Sequence, residues 1–172
     1  MKRFIVVAAI ALLSGCASKA YKPVSEGYAG PTANISDSYN VVSTSKVEFF
    51  YVGKLDGHDV ENSRLNSLAA NRGRGMNMTP VLVQRSVPAS RSMSIEIVAR
   101  TEYAAPILTL TNAVYQVKGT IDFTPEPGME YVIKGELGEA RSLVWLEETA
   151  SHRVIGKKIA VEGPAKLGFL EK

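Results

Sequence analysis

The chain has 172 residues, with 20 lysines and arginines against 17 aspartates and glutamates, a formal net charge of +3, and 45% apolar residues. That length and apolar content suit one domain with a real core, and a single cysteine excludes an internal disulfide or a cysteine-rich metal site. So small a positive excess also excludes a nucleic-acid reading from overall charge, which requires a basic domain or stripe.

Lys2 and Arg3 precede an apolar run from Phe4 to Leu13, and the small residues Ser14, Gly15, Cys16, Ala17 and Ser18 follow. A charged start, a short apolar middle and a small-residue exit describe a secretory signal peptide over residues 1–15. The 10-residue run is half of the about 20 residues that a membrane-spanning helix needs. The stretch Leu13-Ser14-Gly15-Cys16 resembles the lipobox of bacterial lipoproteins. The resemblance implies a diacylglycerol on the Cys16 sulfur, cleavage just before it, and acylation of the new amino group. Two or three acyl chains anchor a protein stably, at about 0.8 kcal/mol per buried CH₂. Ala17 stands where the family carries Asp for retention in the inner membrane, so the resemblance implies the outer membrane of a bacterial envelope, with the domain in the periplasm or at the surface. Removing residues 1–15 deletes Lys2 and Arg3, which leaves 18 cations against 17 acids.

Residues 16–31 are then the lipidated cysteine and a tether. "ASKAYKPVSEGYAGP" has Pro, Gly and Ser and no apolar period; its 15 residues reach about 50 Å fully extended, or about 20 Å as a flexible coil. From residue 32 short strands are expected. "TANISDS" is an edge-like first strand. In "SKVEFFYVGKLDGHDV", Val47, Phe49 and Tyr51 alternate with Glu48, Phe50 and Val52, as strands prefer, and Asp-Gly marks a tight turn. "NSRLNSLAANRGRG" predicts the one short helix, capped by Asn62 or Ser63, with Leu65, Leu68 and Ala69 on one face and Gly73 or Gly75 beyond its end.

Strands return in "MNMTPVLVQRSVP", where Pro80 implies an edge or bulge, and in "SMSIEIVARTEY". "ILTLTNAVYQVKGTIDF" alternates Ile107 and Thr109 against Leu108 and Leu110. "EYVIKGEL" follows the turn "TPEPGM", and "RSLVWLEETASHRVIGKKI" reads as a closing hairpin around "TASH". Residues 163–172 form a poorly patterned tail, expected to be mobile. Seven or eight strands over residues 32–162, one short helix and no βαβ rhythm predict a mainly β fold, an immunoglobulin- or transthyretin-like β-sandwich. "SVPASRSMSIEIV" resembles the Val-Pro-Ala-Gly-then-strand pattern of transthyretin-like envelope sandwiches, with Ser90 in place of the glycine. "YAAPI", "PEPGMEY" and "VWLE" resemble motifs of proteobacterial envelope lipoproteins, which implies a fold and a location without an activity.

Few residues offer chemistry. His58, flanked by Asp56 and Asp59, and His152 both fall in turns, and no His-x-x-x-His, Cys-x-x-Cys or Glu-x-x-His spacing calls for zinc. No Gly-x-Ser-x-Gly elbow exists, and an acylated Cys16 is no nucleophile. Glu147 and Glu148 point to opposite faces of a strand, and Glu126 and Glu130 lie beside a turn. "NRGRG" lacks a Walker lysine. No catalytic residue, metal or cofactor is therefore expected, and the aromatic residues, Trp145 included, are expected in the core.

One asymmetry stands out. Residues 62–100 hold Arg64, Arg72, Arg74, Arg85, Arg91 and Arg100 against the single acid Glu96, whereas residues 101–150 hold three cations against eight acids. The two segments either neutralise each other across the sheets, or Arg64, Arg72, Arg74, Arg85 and Arg91 contact an anionic partner, since arginine suits bidentate carboxylate or phosphate contacts. The expected function is a membrane-anchored, non-catalytic binding or assembly module for an envelope protein or an anionic cell-wall or lipid component, with no nucleic acid. The alternatives are an inhibitor of a cell-wall lytic enzyme, presenting "NRGRGMN" or "LDGHD", and a glycan-active enzyme.

Overall fold

β-branched and aromatic residues fill Lys46–Leu55, and this strand is buried on both faces along most of its length. Phe50 and Val52 point into one cluster while Val47, Phe49 and Tyr51 point into another. A sheet with two buried faces must be covered twice, and the remaining elements do this. The computed structural model describes residues 21–172; Cys16, the apolar run and the start of the tether lie outside them.

The strands are β1 (Thr32–Ser36), β2 (Ser38–Ser43), β3 (Lys46–Leu55), β4 (His58–Asp59), β5 (Gln84–Pro88), β6 (Met93–Tyr103), β7 (Gln116–Phe123), β8 (Glu130–Glu136), β9 (Arg141–Glu148) and β10 (Val154–Glu162). One sheet runs β10-β9-β8-β1-β5, and the other runs β2-β3-β6-β7 with β4 beside β3. They form the expected β-sandwich. Ile35, Ile95, Ile97, Ile133 and Leu146 are fully inaccessible between the sheets. Among the described residues the strands number ten, against the seven or eight expected.

Only Asp37 separates β1 from β2, so the chain passes from one sheet to the other at this residue. Asp37 is 1% exposed. Its Oδ1 accepts from Val52 N at 3.2 Å and its Oδ2 from Ser63 N at 2.8 Å. Its own N–H donates to Val83 O at 3.0 Å. Arg85 Nη1 stands 2.8 Å from Oδ1 as an ion pair, without an aligned N–H, and Arg85 Nη2 donates to Glu61 O at 3.0 Å. A buried carboxylate persists only when so partnered.

Ser63 opens helix α1 (Ser63–Ala70), whose N-cap Asn62 accepts from Leu65 N through its side chain. Asp37 thus takes a first-turn N–H that the helix itself cannot satisfy, at the positive end of its dipole. The buried face of α1 is polar, a correction to the expected Leu65–Leu68–Ala69 stripe: Ser63 and Ser67 are buried while Leu65 is exposed. Residues 79–83 run extended along this face. Val83 N donates to Ser63 Oγ, Val81 N to Ser67 Oγ and Thr79 N to Asn71 Oδ1, at 2.7, 2.8 and 2.9 Å. Four helical residues rise about 6 Å and two extended residues span about 6.6 Å, so the two repeats match. The N–H donors of Thr79, Val81 and Val83 are spent on side chains of α1 and its C-cap, and the strand begins only at Gln84.

A second helix, α2 (Pro106–Thr111), replaces the strand expected at Ile107–Leu110 and corrects the single-helix expectation. Pro106 sits in the first turn, where its fixed φ suits a helix and its missing N–H costs nothing. Thr111 Oγ1 donates to Ile107 O at 2.9 Å, and Asn112 Nδ2 to Leu108 O at 2.9 Å, closing the end. The tail is also docked where mobility was expected. Gln116 N donates to Ala165 O and Leu167 N to Val114 O, each at 2.8 Å, and Lys172 Nζ donates to Leu110 O and Asn112 O at 3.2 and 2.7 Å. A 3₁₀ turn spans Phe169–Glu171. At the start of the described residues, the Tyr21 ring stacks on His58 at 4.5 Å and packs against the core, so the segment expected to be a tether touches the domain at that residue.

Trp145 is buried but outside the inter-sheet core, which its neighbours Val144 and Leu146 enter. Strand alternation turns the indole outward, where Lys158 Nζ lies 3.9 Å from its ring centroid. Ser90, between β5 and β6, has φ 60°, the left-handed region that favours glycine.

Asp37→Ala should lower unfolding free energy by about 3–5 kcal/mol, the usual cost of stripping one partner from a buried pair; urea denaturation measures this, and a loss below about 1 kcal/mol would contradict the role given to Asp37. Ser90→Gly should raise stability by up to about 1 kcal/mol, because relief of the left-handed strain (about 1–2 kcal/mol) exceeds the added chain entropy; thermal melting of the two chains decides it.

Candidate functional site

The outer face of the β3–β6 sheet carries Val47, Phe49, Tyr51 and Val98, and Met78 and Leu68 cover them from the α1 side. α1 and α2 cap this face from two directions and leave a cleft of about 660 Å³ between them. Its floor and walls include Leu68, Met78, Tyr103, Ala104, Pro106 and Leu110, and its charged groups are Arg64, Arg72, Arg100, Lys172 and Glu102. The volume lies in the range of about 300–1,000 Å³ common to small-molecule sites.

The five charged groups arrive from four segments. Arg64 and Leu68 lie one turn apart on α1, and strand alternation puts Val98, Arg100 and Glu102 on one face of β6. Arg72 belongs to the loop after α1, and Lys172 reaches over from the docked tail. Glu102 is 6% exposed at its side chain and accepts from both Arg64 Nε and Arg100 Nε (2.8 Å) on the same oxygen, Oε1. Arg100 Nη1 also donates to Gln116 Oε1 at 2.7 Å. Two guanidiniums, 22% and 13% exposed, thus share one carboxylate, and the cleft keeps a formal side-chain charge of +3, four cations against Glu102. Burial pushes the Tyr51 phenol above its ordinary value despite the opposing pull of Arg64 and Arg100. Burial, assisted by Glu48, raises that of Tyr103. Tyr103 Oη donates to Ala113 O at 2.9 Å and so pins the segment after α2. The cleft can therefore hold an anion against an apolar bed.

The five arginines singled out in the sequence part company. Arg64 and Arg72 enter the cleft. Arg74 is exposed on the same loop, outside the cleft lining. Arg85 is committed to Asp37, and Arg91 pairs with Asp56 at 2.6 Å beside the β3–β4 turn. Arg100 and Lys172 join the cleft although sequence reasoning did not single them out. Arg100 carried a signal, its place two residues from both Val98 and Glu102 on an alternating strand. Lys172 carried none, because its position depends on the docking of the tail.

A second cleft, of about 370 Å³, lies on the outer face of the other sheet and is lined in part by Tyr39, Glu130, Lys134, Glu147 and His152. Glu147 Oε2 accepts from Trp145 Nε1 and Oε1 contacts His152 Nδ1, both at 3.0 Å. These bonds, the tryptophan's first, hold the Glu147 carboxyl below its ordinary range. Glu148 instead turns away and bonds Arg153 Nη2 at 2.9 Å, and Glu126 lies 3.8 Å from the same arginine. His58 is stacked under Tyr21, and Asp59 lies 4.0 Å from Lys54. Among the described residues no group of three or more His, Cys, Asp or Glu is placed to hold a metal ion, and no helix is long and apolar enough to cross a membrane.

Because the folded Glu147 is the stronger acid, the stability it supplies is fully present above about pH 4.5, its ordinary value, and is lost as pH falls through the lower folded value. Glu147→Gln should therefore flatten that part of the acid limb of stability measured by urea melts across pH, while an unchanged acid limb would deny the two bonds their effect.

No protein-family model matches this chain, no curated protein is matched at a significant level, and no solved structure is matched at that level.

Proposed function

We propose that this protein is a lipid-anchored module of the bacterial envelope that binds an anionic partner, and that the cleft between α1 and α2 is its binding surface. One observation carries the binding reading: four cations from four segments converge on an apolar bed that offers them a single carboxylate. Burying unbalanced positive charge beside apolar surface is unfavourable, and an anion relieves it. The anchor reading is supported by Lys2, Arg3, the apolar run and Leu13-Ser14-Gly15-Cys16, and the outer-membrane address by Ala17.

The two readings fit together in space. Tyr21 is held at the Leu55 end of β3, where Leu55 pairs with His58 of β4, five residues after Cys16. Those residues reach about 17 Å at most. The cleft sits at the other end, beside Tyr103, which pairs with Lys46. The ten residues of β3 separate the two ends by about 30 Å. An anchored domain would stand with its β3–β4 turn towards the bilayer and its cleft away from it.

A glycan-active enzyme is the second reading, favoured by the placement of Glu130 and Glu147 in one cleft, a pairing that two carboxylates acting on a glycosidic bond require. Loss of peptidoglycan hydrolysis in Glu147→Gln would support it, and no hydrolysis by the unaltered chain would end it.

For the main reading, Cys16→Ser should move the protein out of the membrane fraction, and mass spectrometry of the unaltered protein should find Cys16 acylated. The Cys16→Ser chain should bind phosphatidylglycerol vesicles over phosphatidylcholine vesicles, less so as salt rises, since screening weakens exposed electrostatic contacts. Equal, salt-independent binding to both vesicles, with no binding of a soluble anion either, would remove the anionic partner, and a bare thiol in mature protein would remove the anchor.

A further inference from the structure

We infer that the cleft takes a single-chain anionic amphiphile as a monomer: a carboxylate or phosphate head on the arginines, with an apolar chain along Leu68, Met78, Ala104 and Leu110. This rests on the binding reading above and specifies its ligand.

Charge complementarity selects the head. Arg64 and Arg100 both direct Nε at one oxygen of Glu102. The terminal nitrogens of Arg64 make no hydrogen bond among the described residues. The exposed Arg72 and the tail residue Lys172 complete an excess of three positive charges. Guanidinium groups bind carboxylate and phosphate oxygens in pairs, with strong charge-assisted bonds.

The surroundings require more than a head. A phosphate ion needs only cations, yet most of the remaining lining is apolar. The apolar character continues past the lip. α2 buries none of its residues, and it leaves Ile107 58% and Leu110 48% exposed. Phe169 and Leu170, in the tail segment that ends on α2 through Lys172, are 69% and 94% exposed. A chain laid in the cleft would cover apolar surface at about 25 cal/mol per Å².

Two facts favour a monomer over a bilayer surface. The site is a concavity of about 660 Å³, the scale of a small-molecule pocket rather than of a protein or membrane interface. It also opens at the end of the domain away from Tyr21, where the chain leads back to the anchor.

The test uses the full chain in phosphatidylcholine nanodiscs, with empty nanodiscs to subtract partitioning, and equilibrium dialysis of dodecyl phosphate below its self-association concentration. Saturable one-to-one binding is expected. Dodecyl maltoside, which keeps the chain and loses the charge, and inorganic phosphate, which keeps the charge and loses the chain, should each bind at least about tenfold more weakly. Arg72→Gln, at an exposed position, and Thr109→Trp, which fills the cleft from α2, should each lower dodecyl phosphate affinity about tenfold with thermal melting unchanged. Should Thr109→Trp fail to fold, Arg72→Gln carries the test alone. Dodecyl maltoside binding as tightly as dodecyl phosphate, inorganic phosphate binding as tightly, or full affinity in Arg72→Gln would each overturn the inference. Salt-dependent binding to phosphatidylglycerol vesicles without dodecyl phosphate binding would overturn it and leave the anionic-partner reading standing, and loss of both would end both.

Discussion

A buried carboxylate at a one-residue crossing organises this molecule. The chain leaves one sheet at Ser36 and enters the other at Ser38, so Asp37 lies between the two layers, where water cannot reach it. An ionised group there must be met by donors and a cation. They come from far along the chain: Val52 of β3, Ser63 at the start of α1 and Arg85 of β5. Satisfying one side chain therefore fixes where a strand crosses, where a helix begins and where the next strand leaves it.

The position of α1 then decides what the outer face of the β3–β6 sheet becomes. α1 is held by its serines and by Asn71 against residues 79–83, so its backbone neighbour is satisfied by side chains and its larger apolar residues are released. Leu68 reaches the sheet, and Leu65 stays in solvent. A helix attached along one polar side covers only part of an apolar sheet. α2 covers another part, and the space left between them is the cleft. Arg64 and Arg100 enter it because α1 and β6 face each other there, and Glu102 neutralises only one of the two.

Much of the sandwich could be read from alternation. β3, β6, β8 and β9 carry long runs of β-branched and aromatic residues, whose burial repays strand formation in any arrangement of sheets. The failures have local causes. "PILTLT" is six residues long, and over that length a period of 2 and a period of 3.6 are hard to tell apart, so the proline in the first turn was the better guide. In the "MNMTPVLVQ" stretch, residues 79–83 run alongside α1, and the N–H groups of Thr79, Val81 and Val83 go to its side chains and to its C-cap Asn71 rather than to a neighbouring strand. In α1 the apolar spacing was real and misleading, because the buried face is the one whose hydroxyl and amide groups could accept N–H bonds. Trp145 is buried on the far side of its strand, where Lys158 and Glu147 suit its amphipathic ring.

Within the site, the excess of arginine between residues 62 and 100 was visible from composition, but its allocation was not. Arg85 and Arg91 carry the same formal charge as Arg64 and Arg72, yet each has an acid of its own distant in sequence, Asp37 or Asp56, whereas Arg64 shares Glu102 with Arg100. The sequence by itself determined the fold class, most strand positions and the local surplus of charge, because these follow from periodicity and composition over neighbouring residues. Tertiary structure alone decided which arginines are consumed internally, that Lys172 joins them, and that they meet over an apolar bed, because ion pairing and cleft formation depend on distances between residues that the chain itself keeps far apart.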